Sequence, residues 1–263
     1  MLGKFRIFRV FCIFMMLCTV IEDGRAKPPA RIIGGVNASI EEFPSLVSIH
    51  RNGVYICGGT LITNKHVLTA GHCAVLQLPK SRIYNMVLSA RVFTVYAGSN
   101  SSKSSENSLK VEEVHVHDNY TGDSSSDFHD DIAILTLKTA VEESSEIRPI
   151  ALASRNTEPG EIGIITGWGA TTLNGPYSST LKKALTMVHE NEDCWTIPDT
   201  QLCAVISYGI GFCDGDSGGP LVINNEVVGV ISNAEGCGEG FPDVFTRVFS
   251  YLTWIREITH PKE

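Results

Sequence analysis

Four short stretches of the chain combine residue types that can carry out covalent chemistry. The first is Gly215-Asp216-Ser217-Gly218-Gly219-Pro220. A serine hydroxyl is a poor nucleophile unless a base takes its proton. Glycines on both sides of Ser217 allow a tight turn and let two backbone N–H groups aim at an oxygen that develops negative charge. The second is Thr69-Ala70-Gly71-His72-Cys73, directly after a strand-like run. An imidazole titrates near pH ~6.5, so His72 can serve as the base. A lone histidine is more often structural, and it is the adjacent bridging cysteine that favours the chemical reading. The third is Asp130-Asp131-Ile132-Ala133-Ile134-Leu135. An aspartate entering an apolar strand is partly buried and needs a partner, for which a histidine N–H is suitable. Asp130 suits a capping or solvated position instead. The fourth is Arg31-Ile32-Ile33-Gly34-Gly35, where a basic residue ends a short pro-segment. A cut after Arg31 frees an α-amino group on Ile32, and Asp216 beside the nucleophile is the carboxylate it would seek.

Short β-type runs must position these residues. They include Leu46–His50, Gly59–Ile62, Val67–Ala70, Arg91–Ala97, Ile132–Leu137, Ile162–Gly167, Pro220–Val222, Val227–Ser232 and Val244–Val248. Gly, Asn, Ser and Pro clusters separate them, which predicts an all-β barrel or sandwich. Only near the end do Tyr251, Leu252, Ile255 and Ile258 share one helical face, with Ser250 placed to cap it. Ser99–Ser108 and Thr121–Ser126 read as surface loops. Thr139–Pro149 is polar and acidic and reads as a linker between two β units. No tandem repeat is visible.

The N-terminus reads as an address. Lys4, Arg6 and Arg9 precede the apolar run Val10–Ile21, the pattern of a secretory signal peptide and too short for a comfortable transmembrane helix. The expected division is a leader at 1–24, a pro-segment at 25–31 and a mature domain at 32–263. Removing the leader leaves six cysteines, Cys57, Cys73, Cys194, Cys203, Cys213 and Cys237, an even number that suits three disulfides in an oxidising compartment. Fifteen pairings are formally open, each bridge adding about 2–4 kcal/mol. The sequons at Asn37, Asn100 and Asn119 also suit an extracellular surface. The whole chain has 21 basic and 29 acidic residues. Residues 32–263 hold 15 and 27 of these, so the body is acidic and a nucleic-acid partner is disfavoured.

Taken together, these stretches resemble the trypsin/chymotrypsin family of serine endopeptidases. The resemblance extends to Cys57-Gly58-Gly59-Thr60-Leu61-Ile62, Gly167-Trp168-Gly169 and Trp254-Ile255, and it spans essentially all of 32–263. The order His, Asp, Ser is also that family's order. The resemblance implies two six-stranded antiparallel β-barrels with the catalytic cleft between them: barrel 1 at about 46–138, a linker at about 139–149, barrel 2 at about 150–248 and a C-terminal helix at about 250–259. It implies His72 as base, Asp131 as its orienting partner, Ser217 as nucleophile, Gly215 and Ser217 as oxyanion donors, and Ser232 against Asp131. It further implies the bridges Cys57–Cys73, Cys194–Cys203 and Cys213–Cys237, and activation after Arg31 with the Ile32 amine pairing to Asp216.

The specificity pocket departs from the pattern. The trypsin-type aspartate six residues before the nucleophile is replaced by Gly211. Phe212 stands where a small residue is usual and could fill the pocket or rearrange its floor. Asp243 could enter from the opposite wall and attract Lys or Arg, as in some arthropod collagenolytic proteases, or it could be turned away and solvated. Asn233 and Ala234 replace the usual Trp and Gly after Ser232, and Asp214 adds negative charge at the mouth. The expected activity is that of a secreted, monomeric endopeptidase acting on proteins or peptides, with chymotrypsin/elastase-like or broad specificity. It would need a trypsin-like activating protease and could meet protein protease inhibitors. No cofactor, structural metal or membrane contact of the mature form is expected. The stretch Ser99-Asn100-Ser101-Ser102-Lys103 offers few anionic oxygens for calcium. His115 and His117, two apart on a strand, are read as a solvated face in preference to a metal site. In its pocket and its short pro-segment the chain looks most like an arthropod digestive, salivary or venom protease. The competing class is a poorly active homologue, obstructed by Phe212 and Ala234, that serves as a secreted binding protein.

Overall fold

The computed structural model describes residue 32 and residues 34–76, 86–103, 107–122, 128–194, 197–205, 208–234 and 236–261. The leader, the pro-segment with Arg31, part of the Ser99–Ser108 loop and most of Thr121–Ser126 lie outside the described residues.

Twelve strands close into two antiparallel barrels of six. The first contains β1 (Leu46–Arg51), β2 (Val54–Thr63), β3 (His66–Thr69), β4 (Phe93–Ala97), β5 (Ser108–Val116) and β6 (Ala133–Leu137). Its ring order is β1-β2-β3-β6-β5-β4. The second contains β7 (Ile162–Gly167), β8 (Lys182–His189), β9 (Gln201–Val205), β10 (Pro220–Ile223), β11 (Glu226–Ala234) and β12 (Asp243–Arg247), in the order β7-β8-β9-β12-β11-β10. The two rings thus share one topology, although the sequence shows no repeat. Closure leaves no open sheet edge within either ring.

Nine of the strands follow the runs of apolar residues seen in the sequence, within a few residues at their ends. In β4, Phe93, Val95 and Ala97 point inward and Thr94 and Tyr96 outward, the period-2 pattern of a half-buried strand. Three strands were not legible. In β8 the inward positions are Lys182, Ala184, Thr186 and Val188, whereas Leu185 and Met187 face solvent, so the polarity is nearly inverted. β5 carries Lys110, Glu112 and Glu113, and β9 begins with the buried Gln201.

The described segments that flank the two barrels cross over them. Val36–Asn37 pairs antiparallel with β8, and the buried Lys182 Nζ donates to Asn37 Oδ1. At the other end, a 3-10 turn (Val248–Tyr251) leads into the helix α2 (Leu252–Thr259). Ser250 does not cap that helix as expected. It lies inside the 3-10 turn with its hydroxyl toward Asp199 O at 3.5 Å, and Tyr251 occupies the cap position without a side-chain bond. The Tyr251 hydroxyl instead reaches the first barrel and donates to Asp130 Oδ1 at 2.8 Å. There His117 packs edge-on between Tyr251 and Trp254 and lies 3.7 Å from Asp130. His117 is therefore part of the helix-docking surface, and the expectation of a solvated His115–His117 face fails for it. His115 is half-buried, with Nε2 3.2 Å from Glu113.

Residues 138–150 contain no helix or strand. They lie along the first barrel through Val141 N to Asn64 O, Arg148 N to Pro44 O and Ile150 N to Leu61 O. Ala151–Leu152 then pairs in parallel with the start of β11. The three disulfides are Cys57–Cys73, Cys194–Cys203 and Cys213–Cys237. Asn37, Asn100 and Asn119 are all exposed. Among the described residues no helix is long and apolar enough to cross a membrane.

The Tyr251–Asp130 bond holds the last helix to the first barrel. Tyr251→Phe removes only that hydroxyl and is expected to destabilise the fold by about 2 kcal/mol, since the acceptor is a carboxylate. Differential scanning calorimetry should show a melting temperature lower by roughly 4–8 °C. An unchanged melting temperature would show that the bond contributes nothing.

Candidate active site

His72 is carried by the turn that ends β3. Ala70 is extended, and Gly71–Ala74 forms a single helical turn, α1. The Cys57–Cys73 bridge ties this turn to β2. A side chain at position 71 would crowd the site, because a Cβ there would lie 3.1 Å from the Tyr120 ring and 3.2 Å from Asp131 Oδ1. Asp131 itself is fully buried. The preceding residue, Asp130, adopts a left-handed conformation with φ +57, which turns the chain into β6. Asp130 is thus neither a helix cap nor simply solvated, since Tyr251 holds its carboxylate.

Three donors converge on Asp131. The His72 backbone N–H reaches Oδ1 at 2.8 Å, His72 Nδ1 reaches Oδ2 at 2.8 Å, and Ser232 Oγ donates to Oδ2 at 2.6 Å. Ser232 comes from β11 at a shift of register between Ile231 and Asn233, a bulge that leaves Ser232 without a partner in β12. Burial opposes ionisation of Asp131, but the charge and bonds of His72 and the Ser232 bond outweigh it, so its pKa is lowered. Burial likewise opposes protonation of His72, but the Asp131 charge and hydrogen bond prevail and raise its pKa above 6.5. With Nδ1 committed to Asp131, Nε2 is the nitrogen left for proton transfer.

Ser217 is half-buried on a turn between two left-handed glycines, Gly215 at φ +91 and Gly218 at φ +77. The turn is pressed against the segment that carries His72. Gly58 N donates to Ser217 O at 2.9 Å, and a Cβ on Gly218 would fall 2.1 Å from Thr69 Oγ1. Gly218 N and Gly219 N are bonded to Ile231 O and Asp216 O. The N–H groups of Gly215 and Ser217 have no hydrogen-bond partner among the described residues. Two free donors beside a serine can receive a developing oxyanion.

Asp216 points away from the cleft, into a buried site where its Oδ1 accepts Gly169 N at 2.7 Å and its Oδ2 accepts Cys213 N at 3.1 Å. Gly167 and Gly169 must be glycines, because a Cβ on either would come within 2.1–2.3 Å of the carboxylate. Among the described residues Asp216 forms no ion pair, and burial pushes its pKa up to about 7. Ile32 is also fully buried, and Gly34 packs against the Gly209 carbonyl.

The pocket residues separate into two groups. Asn233 and Asp214 are exposed and Ala234 is half-buried, whereas Gly211, Phe212, Ser232 and Asp243 are buried. The Phe212 ring stands edge-on to Phe245 at 5.6 Å, within the core. Asp243 is not solvated. It is 6% exposed, with Oδ2 3.4 Å from where a Gly211 Cβ would lie. Burial, only partly offset by the Phe212 backbone, raises its pKa to about 8, and Asp216 adds to the rise. The sulfurs of Cys57 and Cys73 lie near the His72 ring, but they are joined in a disulfide and are not thiolate ligands.

Sequence motifs did not reveal Tyr55, whose hydroxyl donates to Gly215 O at 2.6 Å, or the Tyr251 contact to Asp130. Neither tyrosine lies in a recognisable pattern, and each meets its partner more than a hundred residues away.

Comparison with known proteins agrees with this geometry. The family model described as Trypsin matches residues 32–255 and so begins at the residue after Arg31. Chymotrypsin-2 of Vespa crabro is 34% identical over 231 residues, covering 86% of this chain and 99% of that protein. Serine protease SP24D of Anopheles gambiae is 35% identical over 235 residues, covering 86% of this chain and 80% of that protein. The solved structure of neuropsin, a serine protease expressed in the limbic system of mouse brain, superposes with a TM-score of 0.74 at 27% identity. It covers 86% of this chain and 98% of its own. With two barrels of one topology, a histidine and an aspartate locked together on the first, and a serine turn from the second packed on the strand end that leads to that histidine, the chain belongs to the trypsin family and is a serine endopeptidase.

Proposed function

We propose that the chain is a secreted protease zymogen, activated by cleavage after Arg31, that hydrolyses peptide bonds through Ser217, His72 and Asp131. The observation that carries this reading is the locked His72–Asp131–Ser232 cluster together with the Ser217 turn packed on Gly58 and Thr69, whose Gly215 and Ser217 N–H groups have no partner among the described residues. His72 removes the Ser217 proton as Oγ attacks the scissile carbonyl carbon. The Gly215 and Ser217 N–H groups stabilise the resulting oxyanion. His72 then gives its proton to the leaving amine, and an acyl-enzyme remains. Water, deprotonated by the same imidazole, releases the acid. Asp131 keeps the productive tautomer and stabilises the imidazolium. A leader at 1–24 would route the chain to an oxidising compartment, where its three disulfides form, and a trypsin-like protease would cut after Arg31.

The Arg31-processed protein should hydrolyse peptide substrates and react stoichiometrically with a serine-directed fluorophosphonate. Ser217→Ala should lose both properties, with turnover falling on the order of 10⁶-fold, the scale of removing the serine from a Ser-His-Asp triad. A processed wild-type protein that neither cleaves nor labels would instead favour the secreted binding protein.

The alkaline limit follows from Asp216. The Ile32 amine has a reference pKa of about 7.7–8.0, and pairing with the buried carboxylate raises it. A raised cationic pKa contributes stability that is complete below the reference value and lost as pH climbs through the raised one. Activity and near-UV circular dichroism should therefore decline together at alkaline pH. Full activity far above the amine's titration range would contradict the pair.

Specificity rests on Gly211, Phe212 and Asp243. With its pKa near 8, Asp243 is neutral below that pH in the unoccupied pocket. This supports preference for uncharged, chymotrypsin/elastase-like side chains. Its place beside Gly211 favours a second component, cleavage after Lys or Arg as the carboxylate ionises. Profiling on a diverse peptide library should show the ratio of basic to aromatic cleavage rising between pH 6.5 and 9, and Asp243→Asn should abolish the rise. A flat ratio in the wild type would make Asp243 a bystander.

A further inference from the structure

An oxyanion hole works only if its donors are held in place before the reaction. Gly215 is a difficult donor to hold, because glycine rotates freely about φ and ψ. A peptide unit is planar, so fixing its carbonyl oxygen also fixes the N–H on its opposite side. The peptide before Gly215 is fixed in this way, since Asp214 O accepts Ala170 N at 2.7 Å. The carbonyl of Gly215 itself is fixed by a side chain from the other barrel, the Tyr55 hydroxyl at 2.6 Å.

Tyr55 is built for rigidity. It lies in β2 and is 6% exposed. Its ring stands edge-on to Trp168 at 6.4 Å and to Tyr177 at 5.3 Å, and it is tilted against His50 at 5.6 Å. The loop is pressed directly onto this cluster. A Cβ at Gly215 would lie 2.9 Å from the Tyr177 ring and 3.2 Å from the Tyr55 ring. With both flanking peptides tied, the φ and ψ of Gly215 are restrained from either side, and its N–H has no partner among the described residues.

We propose that Tyr55 is a positioning residue of the oxyanion hole: its buried hydroxyl holds the Gly215–Asp216 peptide while Ala170 holds the Asp214–Gly215 peptide, so that both torsions of Gly215 are fixed and its N–H stays in register with that of Ser217. The proposal rests on the reading of Gly215 as an oxyanion donor given above. Burial, with the Asp216 charge in second place, raises the Tyr55 pKa well above 10, so the phenol stays a donor throughout the working pH range. The bond joins β2 of the first barrel to the nucleophile loop of the second, so it also couples the relative placement of the barrels to the site.

The test compares Tyr55→Phe, which keeps the ring, with wild type in the Arg31-processed protein, well below the melting temperature of either. On a peptide anilide, kcat should fall about tenfold with KM within about twofold. The affinity for a peptide aldehyde, whose hemiacetal oxygen on Ser217 takes the oxyanion position, should weaken by the same factor. A purely structural change would lower the folded fraction without this parallel. Unchanged kcat and aldehyde affinity, or a loss of kcat without a loss of aldehyde affinity, would overturn the role of Tyr55. Fluorophosphonate labelling of the wild type comes first, because failure there sinks the protease reading itself and not Tyr55.

Discussion

A carboxylate with no exposure to water is tolerable only if its charge is met by donors on every side. Asp131 meets that condition by drawing on both barrels: His72 contributes two donors from the first and Ser232 one from the second, while Thr246 Oγ1 of β12 donates to the Asp131 backbone oxygen at 2.7 Å. In the proposed mechanism, the group that orients the base is thus also a rivet between the two halves. Chemistry and domain packing share one interaction, and the barrels cannot slide past each other without stranding a buried charge.

The same reasoning explains the crossed termini. Each barrel is closed on its own, so the interface between them needs additional fasteners. The segment before the first barrel lies on β8 of the second, and the last helix reaches back to Asp130 beside Asp131 of the first. Tyr55 adds a bridge at the nucleophile loop. Of these ties, the Tyr251–Asp130 and Tyr55–Gly215 bonds lie next to Asp131 and in the Ser217 turn, where a small displacement would misplace the proposed reacting groups.

Two more buried carboxylates flank the Gly211–Cys213 segment: Asp216 beside Cys213 and Asp243 beside Gly211. The Asp216 charge adds to the cost of ionising Asp243. In the proposed mature enzyme the α-ammonium group of Ile32 would ionise Asp216 and, by like-charge repulsion, help keep Asp243 neutral. Activation and specificity would then be coupled through two side chains on either side of one short stretch of backbone.

By itself, the sequence pointed to the proposed chemistry and determined most of the scaffold. Ser217, His72 and Asp131 lie in local patterns that need particular neighbours, glycines for the turn and an apolar strand behind the aspartate, and such requirements are written in adjacent residues. Nine strands showed for the same reason, since alternation and flanking turn residues are local. Tertiary structure decided what depends on distant partners. β8 is a strand despite its inverted polarity because β7 and β9 pair with it and Asn37 satisfies its buried lysine. Ser250 lost the cap position to Tyr251, His117 was drawn under α2, and Asp243 was buried beside Gly211 and not left in water. Tyr55 had no signature at all, because a hydrogen bond spanning 160 residues leaves no trace in the spacing of the sequence.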